Sequence, residues 1–211
     1  MNFNAGLKRV FDISASAVGL VALSPLFTLL AAGGALHFKG NPFHLTHRVG
    51  KDGQSFQMIK FKSMNDKWPV GNESNLSDEA RTTGYGHFLR STALDELPQL
   101  VNILKGDMSF VGPRPRDDIY RGQDVIPHTH KDILAVRPGL TGPWQVAAIG
   151  QKEPLPREMR LDLDLEYAKD QPSLFKDFKL ILKTIPAFIK GHDGESLVKK
   201  PQKPHTPHSP M

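Results

Sequence analysis

The stretch RSTALDELPQLVNILKG, residues 90–106, decides how the rest of the chain is read. Leu94, Leu97, Leu100, Val101 and Leu104 recur at helical spacing and make one apolar face. Gly106 stops the helix where a left-handed residue is wanted. Pro98 has no N–H and would clash deep inside a helix, but the first turn tolerates it. The spacing therefore predicts a short amphipathic helix with Asp95 at or beside its N-cap and Glu96 in its first turn. A helix start offers free N–H groups and the positive end of the dipole, which favour a carboxylate ion and attract phosphate. Two adjacent carboxylates there suit a nucleophile with a metal ligand or base beside it. Their ordinary reading is an N-cap and a first-turn acid.

The sequence DMSFVGPRPR, residues 107–116, follows directly. Its apolar run ends at Gly112-Pro113, and Arg114 is then held between two prolines. Prolines restrict the backbone around that arginine, and a guanidinium matches phosphate oxygens in a bidentate way. A carboxylate pair followed by a stiffly mounted arginine points to phosphoryl chemistry.

The text LDELPQL at 94–100, Asn102, and KGDMSFVGPRP at 105–115 resembles the bacterial sugar transferases, the monotopic phosphoglycosyl transferases. Supporting matches are Lys8-Arg9 with Asp12, Ser24-Pro25, RPGLTG at 137–142 with Trp144-Gln145, and Leu163-Asp164, Tyr167, Ser173-Leu174, Asp177 and Lys183-Thr184. The resemblance runs from Lys8 to about Ile185. It departs at Lys62, where the family usually has Arg, so charge is kept and the bidentate fork is lost. It departs again after Gln145, where the chain reads VAAIG at 146–150 and lacks the usual Arg, a change that points to a different donor sugar.

Composition sets wider bounds. The 211 residues fit one domain of ordinary size. A net charge of +5 and a pI near 9.4 suit anionic lipid, nucleic acid or phosphorylated substrates without choosing among them. The absence of cysteine excludes disulfides and thiolate metal sites. A mean hydropathy of −0.35 excludes a multi-span membrane protein.

Residues 13–38 carry no Asp, Glu, Lys or Arg. As one helix this run would be about 39 Å long at about 1.5 Å per residue, more than the roughly 30 Å hydrocarbon core. Ser24-Pro25 splits it into halves of about 18–20 Å, neither able to cross alone. Lys8 and Arg9 precede the run, and Lys39, Arg48 and Lys51 follow it, so both flanks are positive. That charge pattern favours a re-entrant helix-break-helix with both ends cytosolic over a single span or a cleaved signal peptide.

Residues 39–64 read as a β-hairpin, with turns at Gly40-Asn41-Pro42 and Lys51-Asp52-Gly53 and strand alternation over residues 55–62. Residues 65–84 read as a polar loop with a helical turn near 78–80. Arg90, just before the carboxylate pair, reads equally as a phosphate contact or a salt-bridge partner. Asp117-Asp118 and the pair His128 and His130 carry no strong metal signal. Residues 137–145 read as a rigid active-site wall bearing Arg137. Residues 157–190 form one or two helices. Phe175, Phe178, Leu182 and Ile185 share a face that either lies on anionic lipid or packs in a core. The tail from Gly191 is rich in Lys, Pro, His and Ser and reads as disordered.

The resemblance implies an α/β fold, mostly helical with a short β-hairpin, in which a small cytosolic catalytic domain sits on the re-entrant element. The division is a basic segment with membrane hairpin at 1–38, a catalytic domain at 39–190 and a tail at 191–211. It implies transfer of a sugar-1-phosphate from a UDP-sugar to polyprenyl phosphate at the cytoplasmic membrane, releasing UMP, as the initiating step of surface glycan assembly. Asp95 is then the nucleophile, through a phosphosugar–aspartate. Glu96 handles Mg²⁺ or a proton, and Asp95 and Glu96 together are the metal ligands. Arg90, Arg114, Arg137 and Lys62 become phosphate or nucleotide contacts. Lys8, Arg9, Ser24 and Pro25 belong to the membrane anchor, and membrane lipid is a partner. The rivals are a membrane-associated glycosyltransferase that releases UDP and a non-enzymatic basic binding protein. Nucleic acid is not expected, since no aromatic-basic interleaving or recognition helix is present.

Overall fold

The computed structural model describes residues 3–65, 81–116, 128–151, 153–170 and 173–189. The turn expected near 78–80, the Asp117-Asp118 pair, the side chain of His128 and the tail from Gly191 lie outside them. The described chain is mostly helical with two small sheets.

Helices α1 (Phe3–Ala22) and α2 (Ser24–Phe38) are bent by 66° at Leu23. Pro25 sits in the first turn of α2, the place where a helix can accept it. Ser24 donates its hydroxyl back to Val21 C=O (2.8 Å), which serves a carbonyl at the end of α1. The break expected from Ser24-Pro25 is thus present. No single helix among the described residues is long and apolar enough to cross a membrane, but α1 and α2 meet that test together.

The predicted hairpin forms as β1 (Phe43–Val49) paired antiparallel with β2 (Ser55–Phe61). Asp52 and Gly53 take positive φ at its turn, where Asp and Gly are tolerated. Strand alternation turns Phe56, Met58 and Lys60 to one buried face. Phe56 and Met58 pack there with Leu100, Ile103 and Met108. Phe61 faces a second cluster with Leu30 and Leu89, and its ring stands 5.0 Å from Phe27 and 5.4 Å from Phe43. Helix α2 is therefore part of the body. Tyr85 on α3 (Gly84–Ser91) ties it further, donating to Leu30 C=O at 2.6 Å.

The central stretch is not one helix. Ala93 turns the chain at φ 53, residues Leu94–Glu96 form a 3₁₀ turn, and α4 runs over Gln99–Lys105 with Pro98 as its N-cap. Gly106 ends it at φ 104 as expected. Asn102 is fully buried and clamps α4 to β2: its amide donates to Gln57 C=O (2.7 Å) and accepts from Ile59 N–H (3.0 Å).

Two three-residue strands, β3 (Ser109–Val111) and β4 (Gly139–Thr141), pair in parallel. Their crossing needs glycine. A Cβ on Gly112 would stand 2.3 Å from Arg137 C=O, and one on Gly139 would stand 2.1 Å from Gly112 N. After β4 the chain forms α5 (Pro143–Ala148), so residues 146–148, expected in a loop, are helical. Pro143 in the first turn explains the difference, since it is preset for helix. Helices α6 (Arg157–Lys169) and α7 (Leu174–Ile189) close the described chain.

Candidate active site

Asp95 and Glu96 stand on the 3₁₀ turn, three and two residues before Pro98, rather than at the N-terminus of α4. The expected dipole contribution is corrected accordingly. The left-handed turn at Ala93 redirects the chain, and α4 is only seven residues long. The charge that meets the pair comes instead from β2. Lys60 Nζ donates to Glu96 Oε1 at 2.8 Å, with side-chain exposures of 11% and 17%. Asp95 is itself buried. A lysine on the core face of a strand needs such a partner, because an unpaired buried ammonium is costly. The alternation of β2 was the signal available for Lys60, which sequence reasoning left without a role.

The other expected residues fall in different places. Arg90 lies in the last turn of α3, and its carbonyl accepts from Ala93 N–H (3.1 Å), so it leads straight into the 3₁₀ turn. Lys62 follows β2, with its ammonium 5.3 Å from the Phe38 ring centroid. Arg114 follows β3, and its guanidinium is 5.9 Å from the ring of buried Trp144. Arg137 donates its Nε–H to Gly106 C=O (2.8 Å) and so braces the end of α4. The chain around Arg114 reaches the far end of the hairpin, where Val49 N–H donates to Arg116 C=O (2.8 Å).

Lys8 and Arg9 were expected at the membrane flank, and both point into the body. Arg9 donates to Ile103 C=O (2.7 Å) and Leu104 C=O (2.9 Å), the open carbonyls at the end of α4. Lys8 donates to Val111 C=O (2.9 Å) and pairs with Asp177 on α7. Tyr167 donates to the other oxygen of Asp177 (2.7 Å). Burial pushes the Asp177 carboxyl up and Lys8 opposes that shift; burial and then Asp177 raise the Tyr167 phenol. Asp12, also buried, accepts from Ser109 Oγ and Phe110 N–H, each at 3.1 Å. These contacts fasten α1 to β3 and α7, and sequence spacing alone gives no sign of them.

Adjacent carboxylates are hard oxygen donors of the kind Mg²⁺ takes when substrate phosphates complete its shell. Among the described residues no three His, Cys, Asp or Glu side chains converge on one point. His130 instead meets Asp162 at 3.0 Å.

The chain matches the bacterial sugar transferase family model over residues 3–191. It is 36% identical over 200 residues to the exopolysaccharide production protein ExoY of Rhizobium meliloti, covering 85% of this chain and 84% of that one. It is 36% identical over 190 residues to the UDP-glucose:undecaprenyl-phosphate glucose-1-phosphate transferase of Caulobacter vibrioides, covering 86% and 69%. It is 35% identical over 209 residues to the undecaprenyl-phosphate galactose phosphotransferase of Salmonella typhimurium, covering 89% of this chain and 41% of that protein.

Proposed function

The chain belongs to the bacterial sugar transferases and is an enzyme of the phosphoglycosyl transferase class, and from that premise we propose that it moves a sugar-1-phosphate from a UDP-sugar to polyprenyl phosphate, releasing UMP. The observation that carries the reading is buried Asp95 with half-buried Glu96 beside it on a fixed turn, and Lys60 supplying the neighbouring positive charge. A carboxylate so placed is a nucleophile for phosphorus.

The reaction runs in two displacements. An Asp95 carboxylate oxygen bonds to the phosphorus that bears the sugar, and the bond from that phosphorus to the bridging oxygen breaks, so UMP departs with the electron pair. An oxygen of the polyprenyl phosphate then attacks the same phosphorus. The acyl-phosphate bond breaks, which restores Asp95 and leaves the polyprenyl-diphosphate-sugar. Mg²⁺, held by Asp95 and Glu96 together with substrate oxygens, would supply charge neutralisation of the diphosphate. Glu96, set by Lys60, orients the turn and takes part in proton handling. Arg90 and Lys62 favour substrate phosphate, Arg114 takes the transferred phosphate, and the Arg137 wall lies on the nucleotide side. Arg137 acts through the wall that it braces at Gly106.

Location supports the same reading. The lipid phosphate lies at a membrane surface, so the catalyst must sit there. The α1–α2 pair is proposed as a re-entrant anchor with both flanks on the cytosolic face of the inner membrane, and residues 39–190 as the catalytic part. Val18, Val21, Leu29 and Leu36 on this pair are exposed, as are Phe175, Phe178, Leu182 and Ile185 on α7. Exposed apolar faces on both elements fit contact with lipid better than contact with water.

The test is nucleotide identity. Full-length protein in detergent, with Mg²⁺, polyprenyl phosphate and a panel of UDP-sugars, is expected to release UMP with one donor. Asp95→Asn is expected to stop turnover and keep the melting transition. Release of UDP, or full activity in Asp95→Asn, overturns the mechanism.

A further inference from the structure

The end of α2 is fastened beside the Asp95 turn by two separate routes. The first runs through the hairpin. Lys62 N–H donates to Pro42 C=O at 2.7 Å, which carries the β1–β2 pairing one step past Phe61. Pro42 lies against α2, where a Cβ on Gly34 would stand 3.0 Å from the Pro42 Cβ. Lys62 Nζ stands 5.3 Å from the ring centroid of Phe38, the last residue of α2. Two residues back along the strand, about 7 Å at about 3.3 Å per residue, Lys60 holds Glu96. The second route runs through α3. Tyr85 lies over Gly33 and Gly34 of α2, donates to Leu30 C=O, and meets the Phe38 ring edge-on at 6.3 Å. Arg90 is five residues further on, about 7.5 Å along the helix at about 1.5 Å per residue, and leads into the Asp95 turn.

A cation and two aromatic rings therefore stand where the apolar α1–α2 pair ends and the carboxylates begin. The two substrates of the proposed reaction arrive differently. A UDP-sugar comes through water, whereas the acceptor phosphate is tied to a prenyl chain and moves along the lipid surface. A site for that phosphate needs a positive donor within reach of Asp95, beside apolar surface that continues onto the anchor. Lys62 has that seat, and the helices around it expose Leu36 and Phe88. Arg114 and Arg137 do not, since the first stands by Trp144 and the second braces Gly106. An ammonium has three donors, so Lys62 can keep a protein contact and still meet a phosphate oxygen.

We propose that Lys62, seated on the Phe38 ring, receives the phosphate of the polyprenyl acceptor and presents its attacking oxygen to the phosphorus on Asp95. This rests on the function proposed above and assigns the acceptor, not the donor, to this end of the site. Phe38 is a positioning residue that sets the ammonium.

The experiment separates the two displacements in full-length protein in detergent. UMP formed from UDP-sugar and Mg²⁺ without acceptor reads the first, and KM for polyprenyl phosphate reads the second. Lys62→Met is expected to raise that KM about tenfold, the scale of one charged hydrogen bond, and to leave acceptor-free UMP formation within about twofold. Lys62→Arg should keep KM within about threefold, and Phe38→Leu should raise it about threefold. An unchanged acceptor KM in Lys62→Met overturns the inference. So does an equal loss of acceptor-free UMP formation, which would put Lys62 on the donor. If Lys62→Met loses its melting transition, Phe38→Leu decides by the same split. A wild-type chain that forms no UMP refutes the reaction proposed above, and calorimetry with farnesyl phosphate then decides the site. Binding that weakens in Lys62→Met supports it; equal binding, or none to wild type, ends it. Phosphatidylglycerol that binds as tightly and with the same dependence on Lys62 would make this a general headgroup contact and also overturn the assignment.

Discussion

Replacing Lys60 by Met removes the cation from a pair that two core layers hold in place. Lys60 Nζ lies 2.8 Å from Glu96 Oε1, and neither side chain is more than 17% exposed. Methionine fills much of the lysine stem, so packing against Met58 and Phe56 changes little. What changes is Glu96, left as a half-buried charge without its cation, next to buried Asp95. Breaking a buried pair from one side costs about 3 kcal/mol. For a chain of this size that corresponds to a fall in Tm of about 6–12 °C. Removing both charges, in Lys60→Met with Glu96→Met, should restore most of the loss, since a buried pair contributes little net stability. The assay is thermal melting of the full-length protein in detergent. A single variant that melts within 2 °C of wild type, or a double variant that loses the sum of both single losses, refutes the reasoning.

Asp164 makes stability depend on pH. Burial pushes its carboxyl from 3.8 up to about 7, against the pull of Arg116, Arg114 and Arg160. The folded state then holds a proton that the unfolded state releases, so stability falls as pH rises from about 4 to about 7, by on the order of 4 kcal/mol in all. Melting of Asp164→Asn against wild type should show the variant gaining on wild type from pH 5 to pH 8, and parallel curves would contradict this origin. Asn102→Ala leaves Gln57 C=O and Ile59 N–H without their side-chain partner and should lower stability by about 2–4 kcal/mol, read by melting. Replacing Phe175, Phe178 and Leu182 by Ser should cut flotation with anionic vesicles while UMP binding persists, because their faces are 70%, 53% and 51% exposed and support no core.

What the sequence showed and what it hid follow from the range of the forces involved. The hairpin was legible because Asp52-Gly53 and the alternation in residues 55–61 are local signals. The break at Ser24-Pro25 and the stop at Gly106 were legible because each depends on one residue's backbone. The turn that carries Asp95 and Glu96 was half legible. Leucine spacing located it, but periodicity cannot see that Ala93 turns left-handed, and so it merged a 3₁₀ turn with the helix beyond Pro98. The partners of Lys8 and Arg9 were hidden for a similar reason. Lys8 and Arg9 look like any basic residues before an apolar run, yet each bonds to carbonyls some hundred residues away. Those two side chains supply donors to Val111, Ile103 and Leu104, so they are part of the frame that holds α4 behind the Asp95 turn. On the proposed reading of α1–α2 as an anchor, this fastening couples the depth of α1 to the position of Asp95, so the fold itself sets the height at which lipid phosphate is met.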